Sequence, residues 1–196
     1  MGDKVVVRTA PGLWLGLAVA VLMLPLPWLG AFLLSSLIHE LCHLAATKLS
    51  GVMLHELRLG ADGAYLETTV MTPFQGVVCS LAGPMGGLLL LLFARWMPRT
   101  AICALIQSFY HLLPLYPLDG GRALRSLSDY FGWDDGIIKF TEGTVLLLLA
   151  LGGIYLTAME LGSLPLIVTG AIIFRVCREK YLANRAGTGY NRATNL

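Results

Sequence analysis

Ser35-Ser36-Leu37-Ile38-His39-Glu40-Leu41-Cys42-His43 sets two histidines four residues apart, with a glutamate between them, in a stretch otherwise rich in leucine and alanine. Residues four apart share one face of a helix, so His39 and His43 are spaced to grip one zinc ion while Glu40 acts as general base toward water. With 4 histidines among 196 residues, such a pattern arises by chance only roughly 0.002 times in a chain of this composition.

The surroundings of this motif decide the fold class. Between Arg8 and His39 lie 30 residues without a charge, between Glu67 and Arg95 another 27, and between Arg99 and Asp119 another 19. A helix needs about 20 apolar residues to cross the hydrocarbon of a bilayer, so these runs imply an all-α polytopic membrane protein. The composition agrees: 56% of residues are apolar, 13% are charged and the mean hydropathy is +0.72, which excludes a soluble globule. Histidines buried for packing alone would be costly here, because ionisable groups at membrane depth need partners. The net charge is +2 and the fourteen Lys and Arg residues are scattered, so nucleic acid is not an expected partner. Cys42, Cys79, Cys103 and Cys177 form no CxxC pair and read as small buried hydrophobes rather than a disulfide framework.

Working outward, Pro25-Leu26-Pro27 breaks the first uncharged run into helices expected at 11–25 and 28–49, the first of them short enough to begin at Val5. Lys4 and Arg8 before an apolar run imitate a secretory signal, but the pattern continues unbroken into the helix that carries the motif, so cleavage is not expected. From Val52 to Val70 the pattern becomes short and alternating around Gly60-Ala61-Asp62-Gly63, which implies a small membrane-associated β-hairpin between helices two and three. Further spans are expected at 74–94, 100–117, 137–157 and 161–177, about six transmembrane helices in all. Residues 1–177 are expected to form a single domain, and 178–196 a flexible cytoplasmic tail.

Six spans put both termini on one side. With the termini inside, every Lys and Arg except Arg95 and Arg99 falls on the cytoplasmic side, as the bias of basic residues requires. The chain is therefore expected to be a multi-pass protein of the cell membrane with both termini cytoplasmic. Helices two and four then run in the same direction, and their C-terminal parts meet at similar depth.

A hydrolytic zinc site takes three protein ligands and leaves one position open. The third candidate is Asp119, at the end of His111-Leu112-Leu113-Pro114-Leu115-Tyr116-Pro117-Leu118-Asp119-Gly120-Gly121-Arg122. The two prolines deny this stretch a regular helix, and irregular backbone at membrane depth is tolerated only inside protein or beside a wet cavity. Read alone, Asp119-Gly120-Gly121 is an ordinary helix-end turn paired with Arg122; the shared depth with His39 and His43 favours the ligand. His111 competes with it, since zinc accepts either imidazole or carboxylate. A helical path from 111 to 119 would set His111 about 12 Å deeper, though Pro114 and Pro117 allow a path that returns it to the metal. Cys42, beside His43, offers a thiolate or simple packing. His55 and Glu56 lack a second histidine four residues on and read as interfacial. In the third span, Ala82-Gly83-Pro84 and Gly86-Gly87 supply the small residues that let membrane helices approach closely.

On these residues the chain resembles the site-2 intramembrane metalloproteases: His39-Glu40-Leu41-Cys42-His43, Ala82-Gly83-Pro84, and Pro114 through Gly121 stand in that family's order and spans, over about residues 28–125. The compact layout without an inserted PDZ domain looks most like the subgroup that processes a sporulation pro-sigma factor. The resemblance implies zinc as cofactor, His39, His43 and Asp119 as its ligands, Glu40 as the catalytic acid and base, and a hairpin whose edge receives an unwound substrate strand. The chain departs from the family pattern at His111 and at Gly86-Gly87, where asparagine is usual. The family asparagine is thought to position substrate or stabilise the oxyanion, and His111 could donate a hydrogen bond in its place.

The expected activity is hydrolysis of a peptide bond in or next to a substrate's transmembrane segment. The partners implied are a membrane-embedded protein substrate, the lipid bilayer and a regulatory membrane protein. Two rivals use the same residues. A metal or ion transporter would need polar groups along a whole pathway, and the outer halves of these spans hold almost none. An inactive relative that binds membrane segments without cutting them is disfavoured by the intact Glu40.

Overall fold

Pro25 ends one helix and seeds the next: it has no N–H to donate, while its carbonyl accepts from the N–H groups of Trp28 and Leu29 at 2.9 and 3.0 Å. A computed structural model of the chain describes residues 6–9, 11–60, 63–159 and 164–185. The chain divides into two compact units, Met1–Leu112 and Leu113–Leu196.

The first unit opens with strand β1 (Val6–Thr9), then α1 (Pro11–Met23) and α2 (Leu26–Leu49). The first helix therefore does not begin at Val5; β-branched Val6 and Val7 go into a sheet instead. Gly51, at φ +70°, takes the left-handed conformation just past the end of α2. Strands β2 (Leu54–Gly60) and β3 (Gly63–Thr68) then pair antiparallel, in the stretch where a hairpin is expected, with a register shift at His55. β1 adds to β2 in parallel, giving the order β1-β2-β3, a third strand that the alternating pattern did not announce. The side chains of His55 and Glu56 lie outside the described residues.

Helix α3 (Pro73–Leu89) starts at a capping box in which Thr72 and Gln75 serve each other's backbone N–H, and it continues through a 3₁₀ turn, Leu90–Phe93. Gln75 Nε2 also donates to the Ser50 carbonyl at 2.9 Å, closing the C-terminal end of α2. Helix α4 (Pro98–Leu112) follows.

The polarity of α2 is reversed relative to a water-soluble helix. Ser35, His39, His43 and Thr47, each one turn beyond the last, are buried, whereas Leu33, Leu37 and Leu41 face outward. Polar inside and apolar outside is the arrangement that a lipid solvent favours. Ser35 Oγ donates to Gln107 Oε1 at 2.7 Å, and Gln107 Nε2 donates to Ser36 Oγ at 3.0 Å. One turn further along both helices the rings of His39 and His111 meet, so α2 and α4 run in the same direction, as expected. Helix α3 runs antiparallel to α2: Gly83 stands against the His43 ring and Gly86 against Cys42 Sγ, while Gly87 stands against Ser108 of α4. A Cβ at any of the three would collide with those atoms, so these glycines set the interhelical distance. Cys42 accordingly packs against α3, and all four cysteines are free.

The second unit begins with the non-helical residues 113–118, then α5 (Asp119–Phe131), α6 (Asp135–Ala158) and α7 (Leu164–Arg185). Helix α5 was not expected; it is an amphipathic helix in a stretch read as a connection, ended by Gly132 at φ +65°. Asp134 caps α6 by accepting from the Gly136 N–H at 3.3 Å. Gly153 of α6 lies against Thr169 of α7. Helix α7 runs on to Arg185, so the change of composition at Arg178 is not where the helix stops; the rest of the expected tail, residues 186–196, lies outside the described residues.

Against six expected spans, three helices among the described residues are long and apolar enough to cross a membrane: Leu26–Leu49, Pro73–Phe93 and Asp135–Ala158. Helices α1 and α4 hold 13 and 15 residues, which at 1.5 Å each fall short of the roughly 30 Å hydrocarbon core.

Candidate metal centre

The i, i+4 spacing on α2 brings His39 and His43 to one buried face, with their Nε2 atoms 3.2 Å apart. The Nδ1–H of His43 donates to the Cys79 carbonyl of α3 at 2.7 Å. A carbonyl can only accept, so this bond puts the proton on Nδ1 and leaves Nε2 with its lone pair, the tautomer a metal requires. Two nitrogens at about 2.0–2.1 Å from a tetrahedral zinc stand about 3.3 Å apart, which the observed 3.2 Å separation meets.

The His43 imidazole fits beside α3 because residue 83 has no side chain: a Cβ there would sit on His43 Nε2. Gly83→Ala is therefore expected to weaken zinc binding by at least about tenfold. Gly30→Ala, whose Cβ would meet nothing within 4 Å, should leave it unchanged; titration of the two purified variants against a competing chelator gives both values.

His111, in the last turn of α4, joins the same cluster: its ring centroid is 4.5 Å from that of His39, with the planes tilted by 56°. Their ligand nitrogens lie within 4.8 Å of each other. The expected 12 Å offset along a helix does not bear on this position, since α4 ends at Leu112 and His111 is placed by its own packing on α2. Glu40 is partly exposed on the same turn of α2 as His39. Thr47 Oγ1 donates to the His43 carbonyl at 2.9 Å, which satisfies that buried hydroxyl within the helix. The donor set is thus two histidines aimed at one point, a third imidazole alongside, and a neighbouring carboxyl group, and these residues fit zinc.

In the second unit, Asp119 is buried in the first turn of α5. The first-turn glycine Gly121 lies so close to the Leu115–Tyr116 peptide that a Cβ would collide with it. The Tyr116 N–H donates to Glu142 Oε1 at 3.2 Å, and Arg125 stands 3.4 Å from the same oxygen and over the Tyr116 ring at 4.1 Å. Glu142, buried in a helix of spanning length, is a group that reading the sequence missed. Its signal was an ionisable residue inside an apolar run. The Cys79 carbonyl was missed too, and a backbone acceptor carries no sequence signature.

Among solved structures the chain is similar to the site-2 protease from Methanocaldococcus jannaschii, with a TM-score of 0.57 at 20% identity, over 86% of this chain and 90% of that one. At that identity the likeness establishes the fold. No protein-family model and no curated protein matches the sequence.

Proposed function

We propose that the chain is an intramembrane zinc metalloprotease that hydrolyses a peptide bond in or next to a substrate's transmembrane segment. The observation that carries this reading is the pair of buried Nε2 atoms 3.2 Å apart, on a helix of spanning length whose residue between the two is Glu40. The site-2 protease fold and the departure from a soluble polarity pattern along α2 support it.

His39, His43 and Asp119 are the proposed ligands. Zinc, when bound, supplies a Lewis acid that makes water acidic near neutral pH and polarises a peptide carbonyl. Glu40 takes a proton from the attacking water on a carboxylate oxygen and returns it to the leaving amine. His111, beside His39, donates a hydrogen bond to the oxygen on which charge develops. The substrate is a membrane-embedded protein segment, locally unwound, with the edge strand β3 as the place where it is received. We further propose kinship with the subgroup that processes a sporulation pro-sigma factor, a reading supported by the six apolar runs of the sequence and the short stretches between them.

Both termini are proposed to be cytoplasmic, because all basic residues but Arg95 and Arg99 then lie inside. Reporters fused after Pro25 and after Leu196 should localise to opposite sides of the membrane; finding both on one side would overturn the six-span arrangement. The function itself is tested by purifying the protein, measuring its metal, and incubating it with candidate single-span substrates. Cleavage that stops with a chelator and returns with zinc is expected. Purified protein that takes up no zinc would remove the basis of the proposal.

A further inference from the structure

Among the described residues, a few backbone and side-chain groups hold the segment between Leu112 and Asp119. Pro114 and Pro117 have no N–H. The N–H of Leu115 donates to the Leu113 carbonyl at 2.7 Å and that of Leu118 to the Leu115 carbonyl at 2.8 Å. The Tyr116 N–H, between the two prolines, goes instead to a side chain, Glu142 Oε1 of α6, at 3.2 Å. Buried backbone donors are almost always satisfied, so a non-helical stretch in this setting needs an acceptor from elsewhere, and Glu142 is that acceptor. Gly121 packs against the same peptide so closely that a Cβ there would collide with it. Arg125, one turn beyond Gly121 on α5, bonds Glu142 Oε1 at 3.4 Å and covers the Tyr116 ring. One carboxyl group thus ties α6, the proline segment and α5 together, three residues before Asp119.

We infer that Glu142 is a positioning residue, which by holding the Tyr116 peptide and Arg125 fixes the orientation in which α5 presents the Asp119 carboxylate. The inference rests on the reading of Asp119 as a metal ligand. Partners outside the ligand shell that orient a ligand alter metal affinity by about 10–100-fold; Glu142 acts one step further out, through the Tyr116 peptide and Arg125. The role has two parts. Accepting from the Tyr116 N–H needs only an oxygen, which glutamine retains; pairing with Arg125 uses the charge, which glutamine lacks.

The test is a zinc-affinity cycle on the full chain in detergent, with a competing chelator and with the thermal midpoint followed alongside. Glu142→Ala is expected to lower zinc affinity by about 10–100-fold, and Glu142→Gln to recover most of that loss. In an Asp119→Asn background, Glu142→Ala should lower the residual affinity no further, because the group it positions is gone. An unchanged affinity in Glu142→Ala, no recovery in Glu142→Gln, or an equal loss in both backgrounds overturns the inference. Should the alanine variant not fold, Glu142→Asp, which withdraws the acceptor by one methylene, replaces it in the same cycle with a smaller loss expected. Wild-type affinity in Asp119→Asn alone would instead remove the ligand assignment, so the two failures are distinguishable.

Discussion

Glu40→Gln is expected to keep its zinc and to lose cleavage by at least about a hundredfold, the scale of general acid–base catalysis. The amide is nearly isosteric with the carboxyl group but takes up no proton, so the attacking water keeps its proton and the leaving amine gains none. The helix is undisturbed, since glutamine and glutamate have similar helix propensities and position 40 is partly exposed. His39 and His43 keep their 3.2 Å spacing and the bond to the Cys79 carbonyl, neither of which involves Glu40. Metal content and the cleavage rate of one preparation decide the matter: near wild-type cutting would refute Glu40 as the acid and base, and loss of metal would show that it acts on the ligands.

The second large effect separates Asp119 from His111. Asp119→Asn is expected to lower zinc affinity by more than about a hundredfold, beyond the range of an outer-shell partner, and to abolish cleavage. His111→Asn should retain zinc and much of the activity. The structure makes this comparison sharper than the sequence could, because His111 is beside His39 rather than a helix length away. Proximity alone does not make it a ligand. The Nε2 atoms of His39 and His43 stand at the separation of two ligands on one zinc, the ligand nitrogens of His39 and His111 lie within 4.8 Å of each other, and the two variants decide between the imidazole and the carboxylate. Zinc lost from His111→Asn but kept by Asp119→Asn would reverse the assignment and make the centre a three-histidine site.

How much was legible from sequence follows from how local each signal is. The His39–His43 pair is a property of a single helix turn, and α2 was readable to within two residues because Pro25 and Gly51 mark its ends. The common direction of α2 and α4 was also readable, since it follows from counting crossings. The position of His111 stayed open, because a helical path from 111 to 119 sets it away from Asp119 and an irregular one returns it, and its packing against His39 of α2 is a contact between helices that the sequence does not display. Helix α5 was hidden by its charges: Arg122, Arg125 and Asp129 suit a connecting segment as well as the outer face of an amphipathic helix. Glu142 stood in plain view inside an apolar run, but its partner is a backbone N–H, and which peptide lacks an acceptor is known only once the chain path is known. Of the six expected spans, the first and fourth fall short because α1 holds 13 residues and prolines at 98 and 114 confine α4 to 15, and the last because α7 carries Arg175, Arg178, Glu179 and Lys180 in its second half.

The pairing of β1 with β2 carries a lesson about time. Val6 to Thr9 hydrogen-bond alongside Glu56 to Leu59, so the first strand waits for a partner that is synthesised some fifty residues later, after α1 and α2 have been made. Contacts between such distant parts of a chain form late, because the loop between them must close first. The sheet is therefore a seal applied after the two helices are in place, and a chain interrupted before β2 has no partner for its N-terminal strand. Alterations within Val6–Thr9 should accordingly disturb the last steps of assembly more than the formation of the histidine pair, which α2 makes from its own residues.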